Sequence, residues 1–190
     1  MKFGGTSVGT PQRIKDVAQL VSSSGRNLVV LSAMAGTTNS LIEISDYLFN
    51  RNKEGAIEAI GRLEAKYLAH VAELFSSEEY GAAARDYVLN VFDYLKTFPK
   101  QLFTSVEEKI IVAQGELTST HLFYYHLLEK GYTPALIPAL EFMKIDVHGE
   151  PDSDFIKAGI KAQIDSHSDA DFFITQGFIC RNAYGEIDNL

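Results

Sequence analysis

Apolar positions along the chain keep two rhythms, short continuous runs and spacings of three to four residues. The changes between them outline the elements. Met1-Lys2-Phe3 is a strand stub that runs into a glycine turn. Thr10-Pro11 then supplies an N-cap and a first helical residue, because proline holds a helical φ where the amide would lack a partner anyway. Ile14, Val17, Ala18 and Val21 share one helical face, and Gly25 is placed to close that helix at C′. Residues 27–32 (Asn-Leu-Val-Val-Leu-Ser) form a nearly continuous apolar run, as expected of a buried parallel strand. The small-residue turn AMAGTTN follows, and a helix is predicted from about Ser40 with Leu41, Ile44 and Leu48 inward.

The middle of the chain reads as helix throughout. Ile57, Ile60, Leu63, Tyr67, Val71 and Leu74 recur at helical spacing. Tyr80, Tyr87, Val88, Val91, Leu95 and Phe98 repeat the pattern until Pro99 stops it. The pair predicts an α-hairpin whose aromatic stripe is core. A third helix is predicted over residues 106–130, with Val106, Ile110, Ala113, Leu117, Tyr124 and Leu128 inward and Gly131 ending it. Strand signals return at residues 133–137 and 142–145, and a helix is predicted near residues 153–166. Residues 172–175 form another apolar strand that meets Gly177. Asn182-Ala183-Tyr184-Gly185 predicts a hairpin turn. Strand–helix alternation around a helical insert argues for an α/β domain with a mainly parallel sheet. The closing stretch, Glu186-Ile187-Asp188-Asn189-Leu190, is strand-like with no cap or polar tail, so the chain is expected to be a truncated piece of a longer domain.

Composition narrows the class of function. The formal net charge of -8 disfavours nucleic acid or an anionic membrane as the main partner. No apolar run approaches the ~20 residues a membrane helix requires. Cys180 is the single cysteine, so no internal disulfide or cysteine-based metal site is expected, and a cytoplasmic setting is the default.

Candidate chemistry lies at three small-residue turns after predicted strands: Gly4-Gly5-Thr6-Ser7, the 33–39 turn, and Thr175-Gln176-Gly177-Phe178. In open α/β sheets ligands bind beyond the carboxyl ends of the strands, and helix N-termini there favour anions. Convergence of the three turns would suit a small anionic or phosphorylated ligand. The first turn is not a P-loop, which places its lysine after the glycines; here Lys2 precedes them. Position alone leaves Lys2 open between a solvated residue near the start and a cation approaching a phosphate from the strand side. Gly115-Glu116 interrupts an apolar helical run, and mid-helix glycine costs ~1 kcal/mol against alanine. Glu116 is either an ordinary solvated residue or a carboxylate awaiting donors, a substrate ammonium among them. The five histidines are scattered and suggest no metal site, and no nucleophile elbow occurs.

These motifs, taken in order, resemble one family. Lys2-Phe3-Gly4-Gly5-Thr6-Ser7-Val8 is similar to the signature of aspartate kinases, within the amino-acid kinase superfamily. Ser32-Ala33-Met34-Ala35-Gly36-Thr37-Thr38-Asn39 resembles its second loop, Gly115-Glu116 its mid-helix pair and Thr175-Gln176-Gly177-Phe178 its third turn. The resemblance implies an αβα sandwich and phosphoryl transfer from ATP to the β-carboxylate of L-aspartate. That reaction is the first step toward lysine, methionine and threonine. It implies that Lys2 neutralises charge on the transferring phosphoryl and that Gly4, Gly5 and Ser7 line its path. Ser32, Ala33 and Thr38 would hold aspartate, Glu116 its ammonium group and Phe178 its flank. Mg²⁺ would be held mainly by the nucleotide, and the full-length protein would be a homo-oligomer.

Residues 1–190 thereby read as the N-terminal, aspartate-binding part of a catalytic domain. The family's Gly-Arg-Gly-Gly-Ser-Asp loop, its ATP-binding half and its ACT domains are absent, and the piece alone is expected to be inactive. Cys180 stands where many relatives have glycine. A non-catalytic module binding aspartate or a phosphorylated metabolite is the alternative, and a purely structural fragment is a third possibility.

Overall fold

The computed structural model describes residues 1–190. Short, nearly continuous apolar runs build the sheet. It comprises β1 (Lys2–Phe3), β2 (Asn27–Leu31), β3 (Pro134–Leu136) and β4 (Phe172–Gln176), all parallel in the order β1-β2-β4-β3. Successive side chains point to opposite faces. Val29, Leu31, Phe172 and Ile174 therefore pack into the larger core, while Leu28 and Phe173 enter the smaller one.

Helices cover both faces, giving the αβα sandwich. On the larger side lie α1 (Pro11–Ser22), α2 (Thr37–Phe49), α3 (Lys53–Leu74), α4 (Glu78–Leu95) and α5 (Ser105–Glu129). On the smaller side α6 (Ala139–Phe142) and α7 (Ser153–Ser166) pack through Phe142, Ile156, Ile160 and Ile164. An antiparallel hairpin, β5 (Ile179–Arg181) with β6 (Ile187–Asn189), ends the chain. Thr10 caps α1 by accepting from the Arg13 amide, with Pro11 in the first turn. Thr104 and Glu107 form a capping box on α5. Gly131, at φ +81, follows the α5 C-cap, where a left-handed residue is cheapest as glycine. No helix is long and apolar enough to cross a membrane.

Several expectations are corrected. The second helix begins at Thr37 rather than near Ser40, because Gly36 turns the chain at φ +80 and the threonines already belong to the helix. Gly25 is left-handed but lies one position beyond C′, since Ser23 is the C-cap. Ile57 is 55% exposed; Ala56 and Ala59 take its place on the inward face of α3, beside the expected Ile60, Leu63, Tyr67, Val71 and Leu74. α4 ends at Leu95, and Pro99 sits in a separate 3₁₀ turn, Phe98–Lys100. The face assigned to α5 was largely the wrong one: of its six residues only Ala113 is buried, and the other five are half-buried. Ile111, Val112, Leu122, Phe123 and Leu127 are all buried, because the helix is wedged between the sheet and the insert and has no true solvent side. Residues 142–145 do not form a strand: Phe142 ends α6, and Lys144 and Ile145 make only isolated bridges.

Candidate functional site

The carboxyl ends of β1, β2 and β4 open onto one crevice of about 970 Å³, at the upper end of the range for small-molecule sites. Lys2, Gly5, Ser32, Ala33, Thr38, Glu116 and Phe178 all line it. Gly4 and Ser7 do not. Gly4 is exposed, and its carbonyl accepts the Ser7 amide at 2.9 Å to close the turn. The Ser7 side chain faces a separate depression beside Arg13 and Asp16.

The first two turns are interlocked. The Ala35 amide donates to the Gly5 carbonyl at 3.1 Å. A Cβ on Gly5 would stand 2.7 Å from the Ala33 carbonyl oxygen, so glycine is required here by the neighbouring loop. Arg13 holds the first turn from behind, donating to the Thr6 carbonyl at 2.6 Å. Ser119 of α5 donates to the Ser32 carbonyl at 2.7 Å and anchors the second turn from below.

Gly115 lets α5 reach that turn, since an added Cβ would lie 2.9 Å from the Ala33 Cβ. One residue on, the Glu116 carboxylate is 3% exposed. Its Oε1 accepts the Ala33 amide at 3.1 Å, while Oε2 has no partner. Burial raises the Glu116 pKa above the ordinary carboxylate range, and the Ala33 amide offsets this only in part. No basic side chain pairs with it. A buried carboxylate with one oxygen unsatisfied can receive a cationic or multiply donating ligand group, and rotation about its terminal torsion is soft enough to present that oxygen.

Lys2 enters from β1 in register with Val30, which is in turn in register with Thr175 of β4. The three therefore share one sheet face. At the α2 N-terminus the Thr38 and Asn39 amides find no partner, and both residues line the crevice. A helix N-terminus of this kind favours a carboxylate or phosphate. Phe178 is left-handed at φ +65, unusual for a non-glycine residue, and is 39% exposed at the mouth.

Sequence reasoning passed over Thr6, Asn39, Thr175 and Gln176 as individual lining residues. Polar Thr175-Gln176 at the end of an otherwise apolar strand was the available signal. Gln176 is structural: it accepts from the Ala139 amide and donates to Thr120 Oγ1, both at 2.8 Å. The apolar flank formed by Leu28, Val30, Met143, Ile156 and Ile160 was also not anticipated, because it depends on how α7 lies over the sheet. Cys180 is buried, which pushes its thiol up to about 11 and leaves it protonated and inert near neutrality.

Residues 1–190 match the model of the amino acid kinase family. The chain is 26% identical over 192 residues to the chloroplastic bifunctional aspartokinase/homoserine dehydrogenase 2 of Zea mays, covering 96% of this chain and 21% of that protein. Among solved structures, Escherichia coli aspartokinase III in complex with lysine and aspartate superposes with a TM-score of 0.82 at 25% identity. The match covers 100% of this chain and 42% of that one. The same enzyme in complex with aspartate and ADP superposes with a TM-score of 0.74 at 25% identity, again over 100% of this chain and 42% of that one. The chain thus spans about a fifth of the maize relative and about two fifths of the bacterial one.

Proposed function

The chain belongs to the amino acid kinase family, and from that premise we propose that it is the N-terminal, aspartate-binding part of an aspartate kinase catalytic domain. The observation that carries the reading is Glu116, a buried carboxylate with one unpartnered oxygen on the lining of a crevice that Lys2 also faces. An amino acid carrying an ammonium and two carboxylates complements that arrangement. Its ammonium pairs with Glu116, and its carboxylates meet Ser32, the Thr38 hydroxyl and the unpaired amides of α2. The neighbouring aspartokinase III structures hold aspartate, which supports the same assignment.

The chemistry asks little covalent help of the protein. The β-carboxylate is ionised at neutral pH and attacks the γ-phosphorus of ATP without a general base, forming the acyl phosphate as the bond to the departing ADP breaks. Phosphoryl transfer then depends on positioning and on cations placed where charge spreads in the transition state. Lys2 supplies that charge from the strand side, and Gly5 in the first turn keeps the path clear. Gly4 and Ser7 shape the turn rather than line the crevice. ATP is the phosphoryl donor, and Mg²⁺, carried on its phosphates, would neutralise charge there. Assembly as a homo-oligomer, a cytoplasmic setting and a role in making lysine, methionine and threonine belong to the same proposal for the longer protein.

Hydroxamate trapping of acyl phosphate tests it. These residues alone, given ATP, Mg²⁺ and aspartate, are expected to yield none. The longer protein containing a nucleotide-binding half should turn over, and Lys2→Ala should lower its kcat by ~10²-fold, as for loss of one charge-stabilising group. Aspartate binding by that longer protein without any hydroxamate would instead identify a sensor module.

A further inference from the structure

The side of the crevice nearest the helical insert is the 33–36 turn, and Ala35 is held there through both its amide and its carbonyl. The amide donates to Gly5, and the carbonyl accepts from Lys66 Nζ at 2.9 Å. Lys66 belongs to α3, far from the sheet in sequence, and is half-buried. No carboxylate pairs with it. Its ammonium lies 3.7 Å from where a Cβ on Gly36 would stand, and Gly36 is the left-handed N-cap of α2 with no side-chain cap. The first turn of α2 contains no acid.

We propose that Lys66 is a positioning residue for the crevice. It fixes the 33–36 turn by holding the Ala35 carbonyl and adds positive charge beside the unpaired Thr38 and Asn39 amides. The first effect reaches Glu116 as well, because the Ala33 amide is that carboxylate's single hydrogen-bond donor from the protein. A turn that slips would leave both Glu116 oxygens unsatisfied. The second effect adds to the positive end of the α2 dipole, where an incoming carboxylate gains most. Lys66 is not among the residues lining the crevice, so it acts through the turn and through its charge rather than by touching the ligand. The insert thereby takes part in the site. This inference rests on the aspartate-site reading for its ligand, but not for its structural half.

Amide hydrogen exchange by NMR on the ligand-free chain, paired with an L-aspartate titration, separates the two. Lys66→Met keeps the stem and removes the donor. It should speed exchange at Ala33 and Ala35 by about tenfold, the order carried by a charge-assisted hydrogen bond, with Val71 in the same helix unchanged. Aspartate affinity should fall by a similar factor, and Lys66→Arg should restore both. Lys66→Gln, a donor without charge, covers the case in which the methionine variant is unstable: it should protect Ala35 yet bind aspartate more weakly than wild type. Unchanged exchange at Ala33 and Ala35, or a loss of protection throughout the chain that arginine fails to rescue, overturns the proposal. If wild type gives no aspartate response, the ligand reading falls, and the exchange pattern still decides the role of Lys66.

Discussion

Burying a carboxylate without a cation costs stability, and at Glu116 the cost is borne by one oxygen with no partner. Because burial raises its pKa, the folded chain holds this proton more tightly than the unfolded chain does. The group's contribution is then fully present below the ordinary carboxylate range and is lost as pH rises through the raised folded value. Glu116→Gln should therefore melt higher than wild type at pH ~8, with the gap closing toward pH ~4, where the native carboxyl is neutral too. Thermal unfolding across that range checks it, and a variant less stable at every pH contradicts it. Gly115→Ala poses the opposite contest. Alanine gains ~1 kcal/mol of helix propensity, but its Cβ would meet Ala33 at 2.9 Å, and overpacking of this kind costs ~1–3 kcal/mol. Clash should win, and urea denaturation should show a net loss. The Gly115-Glu116 break was legible as an interruption of an apolar run. Its cause was not, because Ala33 lies far away in sequence. Gly5 is a second case of the same kind, since the backbone that comes close to it is the distant Ala33 carbonyl.

Elements were legible where one face is apolar and the other wet. α1, with its Thr10-Pro11 start, and α7, at residues 153–166, follow that rule. α5 was legible in its bounds, expected at 106–130 and found at Ser105–Glu129, but not in its inward face, since a helix buried on nearly all sides has little periodicity to read. The short α6 was passed over, and only its last residue, Phe142, fell in an expected strand, because four residues after Pro138 offer too little pattern to reveal a helix. The insert's attachment was invisible for another reason: it relies on polar contacts between distant segments. Glu129 Oε1, near the end of α5, accepts the Ser76 and Ser77 amides at 2.7 and 2.6 Å and so ties down the start of α4. His126 Nδ1 is buried 3.4 Å from Glu129 Oε2, and burial, with help from Lys130, pushes the imidazole down to about 4. A base depressed in the folded state contributes stability above its ordinary value, lost as pH falls through the folded one. Unfolding free energy should thus decline from pH ~6.5 toward ~4, and His126→Gln should flatten that decline in urea titrations at stepped pH. An unaltered slope would remove His126 from the account.

At the scale of the molecule, one crevice collects residues from Lys2 in the first strand to Phe178 after the last parallel one. The three small-residue turns were readable as a convergent set because parallel strands all end on the same side. Lys66 and the apolar flank beneath α7 were not readable, since each depends on how a covering helix is placed. The overall charge of -8 makes a site with an unpaired lysine and unpaired amides stand out as an anion acceptor within an acidic protein. What separates an amino-acid site from a plain dicarboxylate site is Glu116. The most direct measurement is an NMR titration of wild type and Glu116→Gln with L-aspartate and, separately, with succinate, which lacks the ammonium. Wild type should show saturable shifts at Ser32, Ala33, Thr38 and Glu116 with aspartate and bind succinate at least about tenfold more weakly, while Glu116→Gln should lose that preference. Equal responses to the two ligands in wild type, or a preference that survives in Glu116→Gln, would contradict the assignment.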